Sequence, residues 1–71
     1  MQKPFYKITI MSDTKFVDRY SSTELLEIGQ RFRLQKNINQ KIVIAEYQIT
    51  DCIIDQSELT LNCQSKLLNY Q

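Results

Sequence analysis

The sequence predicts a mainly β fold, a small antiparallel β-barrel or half-barrel of about five strands with one short helix. Apolar and polar residues alternate with a period of two in several segments, as expected for half-buried strands. Clusters of Ser, Asp, Asn and Gln separate these segments and indicate turns. The chain has 71 residues, which is enough for a single domain, 1–71. The alternative is an α+β two-layer domain in which the helix crosses an open sheet.

The N-terminal segment predicts a β-hairpin. In "FYKITIMS" the residues Tyr6, Ile8 and Ile10 share one face, and Lys7 and Thr9 share the other. Ser and Asp in the following "SDT" favour a turn, because their side chains bond to nearby backbone groups. "KFVDRY" then predicts the second strand of the hairpin.

The next segment predicts the helix, at about 22–28. Ser21 followed three residues later by Glu24 matches a capping box, in which each residue satisfies a backbone N–H of the first turn. Gly29, the single glycine of the chain, is placed where a helix commonly ends at positive φ. The side chains expected to pack inward are Leu25, Leu26 and Ile28.

Two further strands are predicted in the middle of the chain. "QRFRLQ" places Phe32 and Leu34 inward with Arg31 and Arg33 outward, and the polar "KNINQK" predicts a loop. Residues 41–55 form a long β-prone segment. Its alternation is broken because Ile42 and Ile44 add apolar residues to the otherwise polar face, so we expect a bend or a β-bulge in this strand.

The second hairpin predicts that both thiols are free. "DQSE" is the turn, and "LTLNCQ" is the returning strand. If Ile53 faces the same side as Leu61, then Ile53 pairs with an odd-numbered residue unless a bulge intervenes. Cys52 then lies on the opposite face from Cys63, and two such thiols cannot reach disulfide geometry.

The segment from "ELLEIGQRFRL" through the long bent strand to the tight hairpin resembles small barrels of the SH3-like or OB-like (oligonucleotide-binding) kind. The resemblance covers residues 24–63 and consists of the pattern of elements. No motif assigns the chain to a family. The resemblance implies a compact barrel that binds its ligand on a strand-and-loop surface.

Composition excludes most catalytic chemistry. The chain has no histidine, so a Cys–His nucleophile or an imidazole-ligated zinc site cannot form. It contains no Gly-rich phosphate loop and no nucleophile elbow. We therefore expect no enzyme activity, no cofactor and no metal. The N-terminus lacks a signal-peptide pattern, and no apolar run approaches the roughly 20 residues of a membrane span, which favours a cytoplasmic protein without a membrane partner.

Two functions fit these observations. The first is a small protein-interaction module, an inhibitor or an adaptor, that acts through a sheet edge or an exposed apolar patch. Its interface is expected at Ile42 and Ile44, with an unknown protein or a second copy of the chain as partner. The alternative is a barrel that binds single-stranded nucleic acid through a basic surface at 31–41. Its candidate contacts are Arg31, Arg33, Lys36 and Lys41.

Overall fold

The computed structural model describes residues 3–70. Five strands form one sheet that curls into a half-barrel, which confirms the mainly β prediction. The strand order is β2-β1-β5-β4-β3. The molecule is elongated, with extents of 43 × 20 × 19 Å. The strands are β1 (Tyr6–Ser12), β2 (Lys15–Ser22), β3 (Arg31–Ile38), β4 (Lys41–Asp55) and β5 (Thr60–Tyr70).

Strand pairing is antiparallel everywhere except between β1 and β5. These two strands run parallel, with Ile8 opposite Leu61 and Ile10 opposite Cys63. The sheet is therefore mixed, whereas the sequence predicted antiparallel pairing. A parallel pair needs a long connection, and here the connection is the whole of β2, β3 and β4.

The buried core lies on the concave side of the sheet, which we call the inner face; the convex side is the outer face. Its centre is formed by β1, β5 and the middle of β4. Ile8, Ile10 and Ile49 are almost completely buried there. The alternation predicted for β1 is confirmed. The other buried apolar residues are Tyr6, Ala45, Tyr47, Leu61 and Cys63.

The helix predicted at 22–28 is wrong, and so is the α+β alternative. Residues 23–30 form an irregular connection. Its end joins the sheet, because Gly29 N–H donates to Ile49 O (2.8 Å) and Ile49 N–H donates to Gln30 O (2.9 Å). A helix of two turns is marginal in isolation, and these bonds to β4 stabilise another conformation. Gly29 does have the predicted positive φ, at 93°. No helix in the described residues 3–70 could cross a membrane.

The loop predicted from "KNINQK" is much shorter than expected. β3 continues to Ile38, and β4 begins at Lys41. Only Asn39 and Gln40 form the turn, with φ of 52° and 65°. Positive φ at both central residues is the signature of a type I′ turn, whose twist matches that of the flanking strands. Asn at the first position favours this turn, and polarity alone had suggested a longer loop.

The predicted bulge in β4 is confirmed, and it reverses the prediction for the second hairpin. Ile49 pairs with Ser65 and Asp51 pairs with Gln64, so Thr50 is an extra residue in β4. Beyond a bulge the faces exchange. Ile53 therefore points outward and is 65% exposed. Cys52 pairs directly with Cys63 on the same face. The two thiols are free, as predicted, although the reason given for it was wrong.

Candidate functional site

A two-stranded arm projects from the half-barrel. The pairing of β4 with β5 begins at Ala45, which is opposite Tyr70. The preceding residues of β4, 41–44, pair with β3 alone. We call residues 35–44 the β3–β4 arm. An isolated two-stranded hairpin is marginally stable at best, so the wider sheet at its base must hold the arm in place.

The predicted interface residues Ile42 and Ile44 both lie on the outer face of the arm. Ile42 is 67% exposed and Ile44 is half-buried. Their partners across the strand pair are Asn37 and Gln35. The apolar surface is therefore a narrow stripe beside polar side chains. The prediction that these isoleucines share the polar face of β4 agrees with this register.

The four predicted basic residues do not form one patch. Arg31 and Arg33 point outward, as expected. Lys36 belongs to the inner face with Phe32, because β3 continues through the segment predicted as a loop. Lys41 is exposed beside the turn. The sheet therefore separates the positive charge of residues 31–41 between its two faces.

On the outer face of β3, one of the two arginines is already paired with an acidic side chain. Arg33 Nε lies 3.3 Å from Glu46 Oε2, and Glu46 is mostly covered. Asn69 Nδ2 donates to the other oxygen of Glu46 at 3.4 Å. Arg31 forms a row with Gln48 of β4 and, beyond it, Lys66 of β5. Lys66 is a basic neighbour that the sequence analysis missed, since finding it requires the register of β5.

A cleft of about 390 Å³ opens on the inner face, between the β1–β2 turn and the base of the arm. Lys36 donates a hydrogen bond to the Tyr47 hydroxyl, and its Nζ lies 5.1 Å from the centre of the Tyr47 ring. The Tyr47 ring in turn stacks on Phe32, with centroids 5.4 Å apart. The lining residues are Ser12, Asp13, Thr14, Lys15, Phe16, Val17, Lys36, Tyr47, Leu67 and Tyr70.

Exposed aromatic rings border this cleft. From the alternation of the sequence alone, only Phe5 and Tyr70 are expected to be free for stacking. Tyr70 is 53% exposed, but Phe16 is also 59% exposed. The Arg19 guanidinium lies 5.9 Å from the centre of the Phe16 ring. The alternation of β2 shifts at Val17, which the register of the β1–β2 pair leaves as an extra residue. That shift is not visible from sequence parity.

The two edge strands of the sheet, β2 and β3, each have one unpaired edge in the described residues. Within residues 3–70, β2 pairs only with β1, and β3 pairs only with β4. The eight pairs of β3 follow one another without a shift from Arg31 to Ile38. The β1–β2 ladder, in contrast, carries the bulge at Val17. A bulge bends and twists an edge, and natural proteins use bulges to discourage further pairing. The β3 edge is thus the regular one.

Acidic and thiol side chains are the metal-ligating groups of this chain, which has no histidine. Residues 3–70 contain no group of three His, Cys, Asp or Glu side chains placed to hold a metal ion. The one strongly perturbed thiol is Cys63, where burial raises the pKa to about 12, with further contributions from Cys52 and Asp51. A thiol with a raised pKa is a poor nucleophile at neutral pH.

In comparisons with protein-family models, with curated proteins and with solved structures, the chain shows no significant match.

Proposed function

We propose that this chain is a small non-enzymatic protein-interaction module that binds an extended segment of a partner along the β3 edge. The observation that carries the proposal is the uninterrupted ladder of β3, which is paired on one side only over all eight residues. Strand addition to an open edge supplies main-chain hydrogen bonds for affinity and adjacent side chains for specificity.

The backbone directions in β3 support this docking mode. The backbone N–H and C=O of Ile49 in β4 both form hydrogen bonds with residues 29–30, which directly precede β3. By the alternation of an antiparallel ladder, the other odd residues of β4 also point toward β3. Their β3 partners are even-numbered. The backbone N–H and C=O groups of β3 that point away from β4, toward the open edge, therefore belong to Arg31, Arg33, Gln35 and Asn37.

The side chains beside this edge define the chemistry of the partner. Ile42 and Ile44 offer an apolar stripe one strand away, and Arg31 with Lys66 offers positive charge on the same outer face. A complementary strand would carry acidic residues together with one or two apolar side chains. Every second side chain of such a strand would lie over the outer face, where these residues are found.

The same charges favour a different protein over a second copy of this chain. If two β3 edges paired antiparallel, Arg31 and Arg33 of one strand would share the outer face with Arg31 and Arg33 of the other. Like charges opposite each other across a strand pair are destabilising. A homodimer through Ile42 and Ile44, which the sequence analysis considered alongside a partner protein, therefore has the weaker support at this edge.

The test uses variants that alter only the outward edge. Gln35→Pro removes an outward N–H and leaves the bonds to β4 intact, and proline is tolerated on edge strands. Gln35→Val is its control, because it keeps the N–H. Proteins captured from a lysate of the source organism are compared by mass spectrometry among the wild type and both variants. We expect a specific protein to be captured by the wild type and Gln35→Val, and lost with Gln35→Pro.

A second pair of variants tests the apolar stripe. Ile42→Glu and Ile53→Glu each place a carboxylate at an outward position that is about two-thirds exposed. Ile53 lies at the far end of β4 from the arm. We expect capture to be lost with Ile42→Glu and kept with Ile53→Glu. Equal capture by Gln35→Pro, Ile42→Glu and the wild type would rule out β3 as the docking edge.

Single-stranded nucleic acid is the second candidate, and the inner cleft is the observation that favours it. The exposed rings of Phe16 and Tyr70 border the cleft, and Lys15 and Lys36 supply positive charge. Stacking of a base on an aromatic side chain contributes about 1–3 kcal/mol. This surface differs from the basic 31–41 surface of the sequence analysis, since only Lys36 is common to both.

A fluorescent oligonucleotide distinguishes the two functions. If the cleft binds single strands, fluorescence anisotropy shows an affinity that falls steeply with salt, as phosphate contacts require. Tyr70→Ala then weakens binding, and Arg31→Ala, on the opposite face, changes it little. Absence of binding at low salt excludes this candidate and leaves the β3 edge unaffected.

A further inference from the structure

Cys52 and Cys63 form a cross-strand thiol pair that the proposed partner binding does not use. They are directly opposite in the β4–β5 ladder. Their Sγ atoms are 3.5 Å apart, close enough for one thiol to donate a hydrogen bond to the other. The bulge at Thr50 creates this pair, because without it the two side chains would lie on opposite faces.

The pair lies near the geometry of a disulfide. Directly opposite residues of an antiparallel pair have Cβ atoms about 4.5–5.5 Å apart, and a disulfide needs about 3.5–4.5 Å. Bond formation therefore requires a local approach of β4 and β5 by about 1 Å or less. The adjacent bulge at Thr50 interrupts the regular ladder and makes such an adjustment less costly.

We propose that Cys52 and Cys63 are a modification site at which a small-molecule disulfide, such as oxidised glutathione, converts the dithiol into an intramolecular cross-strand disulfide. Both cysteines lie at the end of the sheet where β4, β5, β1 and β2 are side by side, and neither belongs to the β3 edge.

Burial sets the order of the two steps. Cys52 is half-buried and Cys63 is buried, so Cys52 meets the oxidant first. The Cys52 thiolate attacks one sulfur of oxidised glutathione, the S–S bond breaks, and one glutathione leaves. The Cys63 thiolate then attacks the Cys52 sulfur of the mixed disulfide and displaces the second glutathione. The protein loses two electrons and two protons, and oxidised glutathione becomes two reduced molecules.

The second step limits the rate. Burial is the main cause that raises the pKa of Cys63 to about 12, followed by the hydrogen bond with Cys52 and the charges of Cys52 and Asp51. The pKa of the Tyr20 hydroxyl in β2 is also raised, chiefly by burial and then by the charge of Cys63. The thiolate of Cys63 is scarce at neutral pH, so closure accelerates as the pH rises toward this pKa. Attack on an adjacent sulfur compensates, since the two atoms are already close.

Disulfide formation also changes a contact of the 23–30 connection. The Cys52 Sγ lies 3.8 Å from Leu26 O, within reach of a weak S–H hydrogen bond. Leu26 packs against the core together with Cys52. A disulfide has no S–H to donate, so this contact is lost on oxidation. We therefore expect faster amide exchange in the connection, next to the start of the β3 edge.

The experiment treats the full chain with oxidised glutathione, quenches with acid, then alkylates in denaturant and measures intact mass. We expect a monomer that is lighter by two hydrogens and carries no alkyl group. Cys63→Ser should stop at one glutathione adduct, because no second thiol can displace it. Cys52→Ser should remain unmodified, because Cys63 is buried.

Three results would overturn the proposal. The first is a wild type in which both thiols are alkylated after prolonged treatment. The second is a stable glutathione adduct on wild-type Cys52, which would mean that Cys63 cannot reach it. The third is a disulfide between two chains. Because alkylation reports bond formation directly, none of these outcomes depends on whether a protein partner binds β3.

Discussion

The two ends of β4 have similar residues and opposite surroundings. At its start, residues 41–44 pair only with β3 and form one strand of the arm. At its other end, residues 51–55 pair with β5. Within the same sheet β5 pairs with β1, and β1 pairs with β2. The wide end has four strands across and the arm has two. β4 thus connects a stable half-barrel to a projection with little cover.

Isoleucines on the two faces of the sheet differ most in burial. Ile42 on the outer face of the arm is 67% exposed, and Ile53 on the outer face at the other end of β4 is 65% exposed, whereas Ile8 on the inner face is 0% exposed. The side chains have the same hydrophobicity, so the face on which each one lies decides its burial. Exposed apolar side chains that a small domain could have used in its core are typical of interaction surfaces.

The largest expected effect separates Ile8 from Ile42. Ile8→Ala removes a completely buried side chain and should lower the free energy of unfolding by about 2–5 kcal/mol. Ile42→Ala should change it by no more than about 0.5 kcal/mol, as for ordinary surface positions. Urea denaturation followed by circular dichroism measures both. A similar loss in the two variants would mean that the arm is packed against something in solution.

Gly29 gives the next largest effect, where the 23–30 connection joins the sheet. Its φ is 93°, and a Cβ added there meets no atom within 4 Å. The cost of Gly29→Ala is therefore backbone strain alone, about 1–2 kcal/mol. Gly29→Asn should cost less, because Asn adopts positive φ more readily. If both variants unfold at the wild-type urea concentration, the backbone at this position relaxes without strain.

The strands were predictable from the sequence where alternation is regular. Tyr6, Ile8 and Ile10 were placed correctly on the inner face, and so were Phe32 and Leu34. Parity fails beyond a bulge, because one extra residue exchanges the faces. A bulge in β4 was predicted, but its position at Thr50 was not, and Ile42 and Ile44, which lie before it on the face that parity predicts, do not mark it. Neither Gly nor Pro marks it.

Local signals misled where backbone contacts outside the segment decide the structure. Ser21 and Glu24 have the spacing of a capping box, yet Ser22 Oγ accepts the N–H of Glu24 at 3.0 Å and no helix follows. Bonds between residues 29–30 and β4 replace the helix. The basic site was only half predictable for a related reason. The faces of Arg31 and Arg33 follow from parity, whereas the place of Lys66 follows from strand pairing.

The turn of the arm offers a smaller, stabilising change. Gln40 has φ of 65°, and glycine is the preferred residue at the second central position of a type I′ turn. Gln40→Gly should stabilise the arm by less than about 1 kcal/mol, since relief of strain is partly offset by the entropy of glycine. Slower amide exchange in residues 35–44 would show it, and Gln40→Val, a β-branched control, should accelerate exchange there. Unchanged exchange in both would mean that the turn does not limit the opening of the arm.

The smallest effect is expected at the opposite turn of β4. Asp55 Oδ1 accepts hydrogen bonds from Ser57 Oγ (2.7 Å), Ser57 N (3.0 Å) and Glu58 N (3.1 Å). The Ser57 hydroxyl is the first cause that lowers the pKa of this carboxyl, followed by the Glu58 amide. A pKa that is lower in the folded state contributes stability above the unfolded-state value and loses it as the pH falls through the folded value.

Asp55→Ala should therefore unfold at a slightly lower urea concentration than the wild type at neutral pH. This difference in urea midpoint should narrow as the pH falls below the ordinary Asp pKa of about 3.9 and through the lower folded-state pKa, where the wild-type carboxylate becomes protonated. Because the group is exposed, the effect should be well below that of Ile8→Ala. Ser57→Ala is the matched control, since it removes only the shortest of the three bonds and should give a smaller gap. A gap of constant size across this pH range would show that the carboxylate charge does not stabilise the turn.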